Sequence, residues 1–322
     1  MQGLGRVEIA DTFCEALDGL FSRFIITAER GLTVEDTLSP FIEHDPLRYA
    51  AYRSTSTPAI VVGRTEAGIE KWLCENETPD GRQGVVIQCW GAYDKKKPLE
   101  EQVKKFNKEM SLRIRQDILS ASGGTTRIFD WPELGKKPVY VIDNRERVGD
   151  CGGGDETFLE EYGRNVINVP LMIGYDFKID KITECRIGIS GANIQIFCDS
   201  VKTGRLAGKA SIEAIKKVEG VITPFYVCPS GSTTGNYKLI GPPTNRKYCP
   251  SLRKIIPNSE VPEGVNSIPE IVIDGINMKA VENAMREGIK AASYVDGVKL
   301  ISAGSYEGSL GQHKIYLRNL FT

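Results

Sequence analysis

The chain has 322 residues, 41% of them apolar and 26% charged, with 41 basic against 42 acidic side chains and a net charge of −1. That apolar fraction supplies a core and excludes disorder as the main state, and the length points to two lobes or one large domain. A charge near zero, with a pI of about 6.3, excludes a globally cationic nucleic-acid or membrane-surface protein but leaves room for a local basic patch.

In chain order, the opening stretch Met1–Phe13 meets charge early and holds no apolar run of signal-peptide length. No window approaches the ~18 consecutive apolar residues of a membrane span. Val85-Val-Ile-Gln88 reads as a strand. Leu99, Val103, Phe106 and Met110 recur at helical spacing, with Pro98 placed for a first turn. Asp117-Ile-Leu-Ser-Ala121 reads as the returning strand before Gly123-Gly124. Asp150-Cys-Gly-Gly-Gly154 marks a linker, because consecutive glycines weaken any regular element, and divides the chain into residues 1–150 and 151–322. Ile271-Val-Ile-Asp274 is a second short strand; Met278, Val281, Met285, Ile289 and Ala292 form a helix face behind the N-cap candidate Asn277, and Val298–Ser302 follows as a strand. Val85 matches Ile271 at an offset of 186, and Leu119-Ser-Ala121 matches Ile301-Ser-Ala303 at an offset of 182. Two similar units suggest an internal duplication of α+β lobes of split-βαβ or ferredoxin-like type, although any two such units share these features.

The common fingerprints of nucleotide, dinucleotide and zinc-protease sites are absent. Eight cysteines are scattered, the closest pair being Cys185 and Cys198, and the histidines are His44 and His313 alone. Zinc-ligand spacing is therefore missing, and the cysteines fit free thiols in a reducing cytoplasm. Gly188-Ile-Ser-Gly191 superficially matches a nucleophile elbow but has Ala192 in place of the final glycine, so it reads as a turn. Cys249, between Tyr248 and Pro250 with Arg246, Lys247, Arg253 and Lys254 nearby, has a setting that lowers a thiol pKa, yet reads more simply as a thiol beside a turn proline.

Three stretches concentrate polar groups: Glu77-Thr-Pro-Asp-Gly-Arg82, Ser230-Gly-Ser-Thr-Thr-Gly-Asn-Tyr-Lys238, and Thr244-Asn-Arg-Lys-Tyr-Cys-Pro-Ser-Leu-Arg253. Each alone reads as a solvated loop; together they offer N–H donors, hydroxyls and positive charge to an anion or carbonyl. Glu270 is sharper. It follows Pro269 and opens an apolar strand, where desolvation raises a carboxyl pKa toward neutrality; the plain alternative is a solvent-facing terminus or a salt-bridge partner.

Several segments resemble formylmethanofuran:tetrahydromethanopterin formyltransferases: Val7-Glu-Ile-Ala-Asp-Thr-Phe13, Thr65-Glu-Ala-Gly-Ile-Glu70, Glu77-Thr-Pro-Asp-Gly81, Lys247-Tyr-Cys-Pro-Ser-Leu-Arg253, Val261-Pro-Glu-Gly-Val-Asn266 with Glu270-Ile-Val-Ile-Asp-Gly275, Glu287-Gly-Ile-Lys-Ala-Ala292 and Ile301-Ser-Ala-Gly304. The resemblance covers nearly the whole chain. It implies a cytoplasmic homotetramer of subunits with two ferredoxin-like lobes. It also implies reversible formyl transfer between methanofuran and N5 of tetrahydromethanopterin, both co-substrates, with no metal or prosthetic group. On the same resemblance the catalytic carboxyl falls at Glu270, in a protonated role, with Glu66 as second candidate. Ser230, Ser232, Thr244, Asn245 and Arg253 would bind the anionic substrate tails, with no nucleic-acid or membrane partner.

The chain departs from the family at Arg53-Ser-Thr-Ser-Thr-Pro-Ala59, at Gly63-Arg64, in the insertion-like stretch 32–45 and at Pro242-Pro-Thr-Asn245. Those changes touch expected substrate loops. They motivate an alternative, a non-catalytic paralogue that binds a pterin or serves as a subunit of a larger one-carbon complex, and a third, a structural scaffold.

Overall fold

The structure, a computed structural model, describes residues 7–29, 46–55, 65–121, 125–132, 137–232 and 244–322. In chain order the elements are β1 (Glu8–Ile9), β2 (Phe13–Thr27), α1 (Pro46–Thr55), β3 (Glu66–Leu73), β4 (Gly84–Ala92), α2 (Leu99–Arg113), β5 (Arg127–Asp130), β6 (Tyr140–Asp143), α3 (Arg145–Val148), β7 (Thr157–Glu161), β8 (Arg164–Pro170), β9 (Asp176–Asp180) and β10 (Ile182–Cys198). They continue as α4 (Val201–Ile215), β11 (Val221–Ile222), β12 (Glu270–Gly275), α5 (Met278–Ser293), β13 (Val298–Ser302) and β14 (His313–Tyr316). The chain forms a mixed α/β protein of two compact units, Leu20–Ile187 and Met1–Gly19 with Gly188–Thr322. The second unit is discontinuous because the chain passes between the units inside β2 and β10, whereas the glycine run at 150–154 lies within the first.

In the unit 20–187, strands run in the order β5-β2-β4-β3, and β9, β8 and β7 extend the sheet beyond β5. β4 reads as continuously apolar because both of its faces are covered. Val85, Ile87 and Cys89 join the cluster around Phe106 and Met110 of α2, while Val86 packs with Ile25 and Phe129 on the other side. Two charge networks in this unit are paired. Arg23 grips Glu70 through two bonds of 2.7 and 2.6 Å, and Gln88 adds a third at 2.8 Å. Asp80 in the 77–82 turn accepts from Thr27, Arg82 and Arg127.

The unit of residues 1–19 and 188–322 carries strands in the order β11-β12-β10-β13-β1. β12 and β13 both run antiparallel to β10, which lies between them, so the βαβ crossover through α5 is split by one strand. One face buries Ile194, Ile196, Ile271, Ile273 and Ile301 against Ala207, Ile212, Val281, Met285 and Ile289 of α4 and α5. The helices meet closely at Gly288, where a Cβ would lie 2.8 Å from Ile215 and Ser211 side chains. Asn277 caps α5, accepting from the Ala280 N–H at 2.9 Å.

Two expected elements differ. Residues 117–121 do not form a strand: α2 runs on through a π-helical turn, Ile114–Leu119, and the following strand is β5. Ile114 and Ile118 continue the four-residue spacing of Phe106 and Met110, so burial of that face outweighs the short apolar run. The second offset of 182 therefore matched a helical segment to β13. Gly188–Gly191 is not a free turn but part of β10, where a bulge between Ile189 and Ala192 places Gly191 at φ +74°.

Candidate active site

The site is built on the sheet face of the 188–322 unit opposite its helices. Along β12, Ile271 and Ile273 point into the core, so Glu270 and Val272 point the other way and remain half-buried. Register places Glu270 beside Gln195 of β10, and Gln195 beside Ser302 of β13. A row of carboxyl, amide and hydroxyl thus crosses three strands on one face. Pro269 donates no N–H; the Glu270 backbone instead exchanges two hydrogen bonds with Cys228, at 2.8 and 3.0 Å. That bridge brings Ser230 under the carboxyl, and its hydroxyl donates to Glu270 Oε2.

Next to this row lies a cleft of about 350 Å³. Gln195, Ser302 and Leu300 line it from the sheet, with Phe197 and Tyr248 meeting edge to face at 6.0 Å. Asn245 and Lys247 enter from a 3-10 turn, Thr244–Tyr248, and Lys247 pairs with Glu260 at 3.0 Å. Ser305 and Glu307 belong to the loop after β13 and close the far side. The lining mixes polar and charged side chains with apolar ones, which suits a ligand of mixed polarity.

Desolvation raises the Glu270 carboxyl above the ordinary carboxylate range, only partly opposed by the Ser230 hydrogen bond. Burial likewise pushes the Tyr306 phenol up to about 12, with the negative charge of Glu270 and Glu15 adding to it. The Cys14 thiol, whose sulfur accepts the Asn193 N–H at 3.0 Å, is also driven to about 12 by burial. The Tyr306 phenol and the Cys14 thiol are therefore neutral near neutrality, and a carboxyl raised in its pKa, as Glu270 is, suits the donation of a proton to a developing oxyanion.

Comparison with known proteins bears on what reaction this serves. A family model described as formylmethanofuran-tetrahydromethanopterin formyltransferase matches residues 3–171, and one described as its proximal lobe matches residues 175–320. The chain belongs to this formyltransferase family. A formylmethanofuran–tetrahydromethanopterin formyltransferase-like protein of Archaeoglobus fulgidus is 44% identical over 99% of this chain and 98% of its own. The formylmethanofuran–tetrahydromethanopterin formyltransferase of Methanocaldococcus jannaschii is 38% identical over 98% of each. The solved structure of the formylmethanofuran:tetrahydromethanopterin formyltransferase from Methanosarcina barkeri superimposes with a TM-score of 0.81 at 34% identity, covering 98% of each chain.

Of the residues singled out from sequence, the structure brings together Glu270, Ser230 and, through the cleft, Asn245. The Asn245 amide donates to the Gly231 carbonyl at 3.2 Å, bracing the backbone between Ser230 and the half-buried Ser232. Thr244 opens its 3-10 turn. Arg253 differs from expectation: its Nη2 donates to the carbonyls of Pro262 and Val265, so this nitrogen holds a loop instead of an anion. Arg246 and Lys254 are exposed. Glu66 opens β3 in the 20–187 unit, buried and opposite Trp90. The departures at 32–45, 56–59, 63–64 and 242–243 lie outside the described residues, as does the loop from 233 to 238. Sequence reasoning missed Gln195, Asn193, Tyr306 and Glu15. Asn193 and Gln195 had a signal, two amides in the otherwise apolar run from Ala192 to Cys198.

No helix among the described residues is long and apolar enough to cross a membrane, and no group of His, Cys, Asp and Glu among them could hold a metal ion.

Proposed function

We propose that this chain is a formyltransferase that moves a formyl group reversibly between formylmethanofuran and N5 of tetrahydromethanopterin. The observation that carries the reading is a carboxyl, Glu270, raised above the ordinary carboxylate range by desolvation and hydrogen-bonded by Ser230 beside a cleft of mixed polarity. N5 attacks the formyl carbon and a new C–N bond forms while charge gathers on the formyl oxygen. Glu270 gives that oxygen its proton, the proton that N5 loses passes to the departing methanofuran amine as the old C–N bond breaks, and collapse of the intermediate to the new formamide returns the oxygen's proton to Glu270. Aligning two bulky amines supplies much of the rate, and the neutral acid stabilises the tetrahedral oxygen. Glu66 is the second acid–base candidate. Ser232, Thr244 and Asn245 would donate to the carriers, Lys247 would meet an anionic tail, and Arg253 would act through the 262–265 loop.

Both co-substrates arrive as free carriers, and no prosthetic group takes part. Each unit is read as a ferredoxin-like lobe, related by duplication. The recurrence of one strand order, β5-β2-β4-β3 and β13-β10-β12-β11, supports this. Assembly into a homotetramer acting in the cytoplasm completes the reading; the exposed apolar turn Met172-Ile173 is a surface available to a subunit contact.

A second reading, a paralogue that binds a pterin without transferring the formyl group, is favoured by one observation. Identity is 44% to a relative named formyltransferase-like and 38% to one named formyltransferase. Purified protein assayed with formylmethanofuran and tetrahydromethanopterin is expected to form formyl-tetrahydromethanopterin at catalytic rates. Calorimetric binding of tetrahydromethanopterin without transfer would establish the second reading, and binding of neither carrier would leave a scaffold.

A further inference from the structure

The loop Gly304–Gly311, between β13 and β14, forms one wall of the cleft through Gly304, Ser305 and Glu307. Its backbone is one that L-residues avoid: Tyr306 and Glu307 stand at φ +38° and +56°, followed by Gly308 at +78°. Non-glycine residues stay in the left-handed region only where the surroundings over-determine them. Here the surroundings are largely one residue, Glu15 on β2. Its side chain is buried and accepts backbone N–H groups of Gly308, Leu310 and Gly311, each at 2.7 Å. Its own N–H donates to the Gly304 carbonyl at 3.2 Å. Both ends of the loop are therefore tied to Glu15. Asn193 adds one more restraint, its side-chain oxygen accepting the Gly304 N–H at 2.7 Å. The contact is close enough that a Cβ on Gly311 would come within 2.6 Å of the Ala16 carbonyl oxygen and 2.8 Å of its nitrogen.

We infer that Glu15 is a positioning residue of the formyl-transfer site: its carboxyl is the template on which the 304–311 loop is wound, so that Ser305 and Glu307 wall the cleft. Without it three N–H groups lose their common acceptor, and the left-handed pair has no reason to persist. Glu15 is no acid, base or ligand of the reacting atoms. It acts on substrate affinity through the loop, and the inference rests on the reading of the cleft as a carrier site.

Hydrogen exchange and kinetics on the full-length protein test it separately. In Glu15→Gln the amides of 304–311 should exchange at least about tenfold faster, while those of β12 stay as in the parent, because the loop opens locally. KM for at least one carrier should rise about tenfold with kcat within about threefold, the signature of lost binding and not of lost chemistry. Glu15→Asp, which keeps the charge, should recover part of the KM effect. Gly311→Ala, which lifts the loop off an intact Glu15, should give the same split and serves if the Gln variant fails to fold. Parent-like exchange at 304–311 in both Glu15→Gln and Gly311→Ala would overturn the inference, as would a fall in kcat with KM unchanged. If the parent shows no transfer at all, the proposed activity fails; faster loop exchange together with weakened tetrahydromethanopterin binding by calorimetry would still uphold Glu15 as the template.

Discussion

Replacing Glu270 with glutamine removes one titratable proton and almost no volume, so its effects on chemistry and on stability can be worked out separately. The glutamine carbonyl still accepts from Ser230, and the strand pairing with Cys228 is untouched, because it uses backbone groups. What disappears is a positioned acid, worth about 10²–10⁴-fold in rate, or about 3–5 kcal/mol of barrier. Stability should move the other way. Burial holds the folded carboxyl above its ordinary value of 4.5. The group's favourable contribution is therefore complete below that value and lost as pH rises through the folded one. Each unit of displacement is worth about 1.4 kcal/mol, and glutamine carries no such penalty. The variant should thus melt at or above the parent temperature at pH 8, and the gap should narrow as pH falls toward 4. Stopped-flow transfer assays and thermal melts across pH 4–9 read both effects. Parent-like turnover in the variant would refute the catalytic assignment, and a melting difference independent of pH would refute the desolvated carboxyl.

Three further outcomes follow from groups away from that carboxyl. Glu70→Ala strips the bidentate partner from buried Arg23 and should cost about 3–5 kcal/mol in urea unfolding, with Arg23→Met restoring much of it. Asp80 is held below the ordinary range: its burial alone would raise it, but the Thr27 hydrogen bond and the Arg82 and Arg127 charges prevail. Its contribution is present above the unfolded value and lost as pH falls through the folded one, so Asp80→Asn should cost about 1–3 kcal/mol at pH 7 and flatten the acid limb of a pH–stability curve. Iodoacetamide at pH 8 should modify exposed Cys74 and Cys151 in the native protein. Cys14 and Cys198, buried and driven to about 12, should react only after denaturation, as read by peptide mass spectrometry.

Elements whose burial pattern has one interpretation were legible in the sequence. Met278 to Ala292 shows five apolar residues on one helical face behind an Asn cap, and α5 forms there. Val298–Ser302 is the strand β13, and 85–88 and 271–274 lie inside β4 and β12. Ile118-Leu119 was ambiguous, because two adjacent apolar residues serve a strand or the tail of a helix equally. The three-strand stretch from Thr157 to Asp180 left little trace, since β7 is an edge strand whose pattern is mostly exposed. The desolvated placement of Glu270 was legible from its position at the mouth of an apolar strand. Arg253 was not, since a guanidinium in a loop looks the same whether it faces an anion or two carbonyls.

The sequence by itself determined what depends on short-range pattern: a mixed α/β chain, the β12–α5–β13 unit, the cap at Asn277 and a carboxyl in a desolvating position. The long apolar segments and the motifs that carry the family resemblance contain that information locally. Only the tertiary structure decided which polar residues share a face and which atoms they satisfy. Gln195 stands opposite Glu270 on strands separated by about seventy-five residues, and Glu15 finds three N–H groups nearly three hundred residues away. Such pairings are set by strand register and by the cost of leaving a buried polar group unmatched, and both come into force only once the sheet has formed.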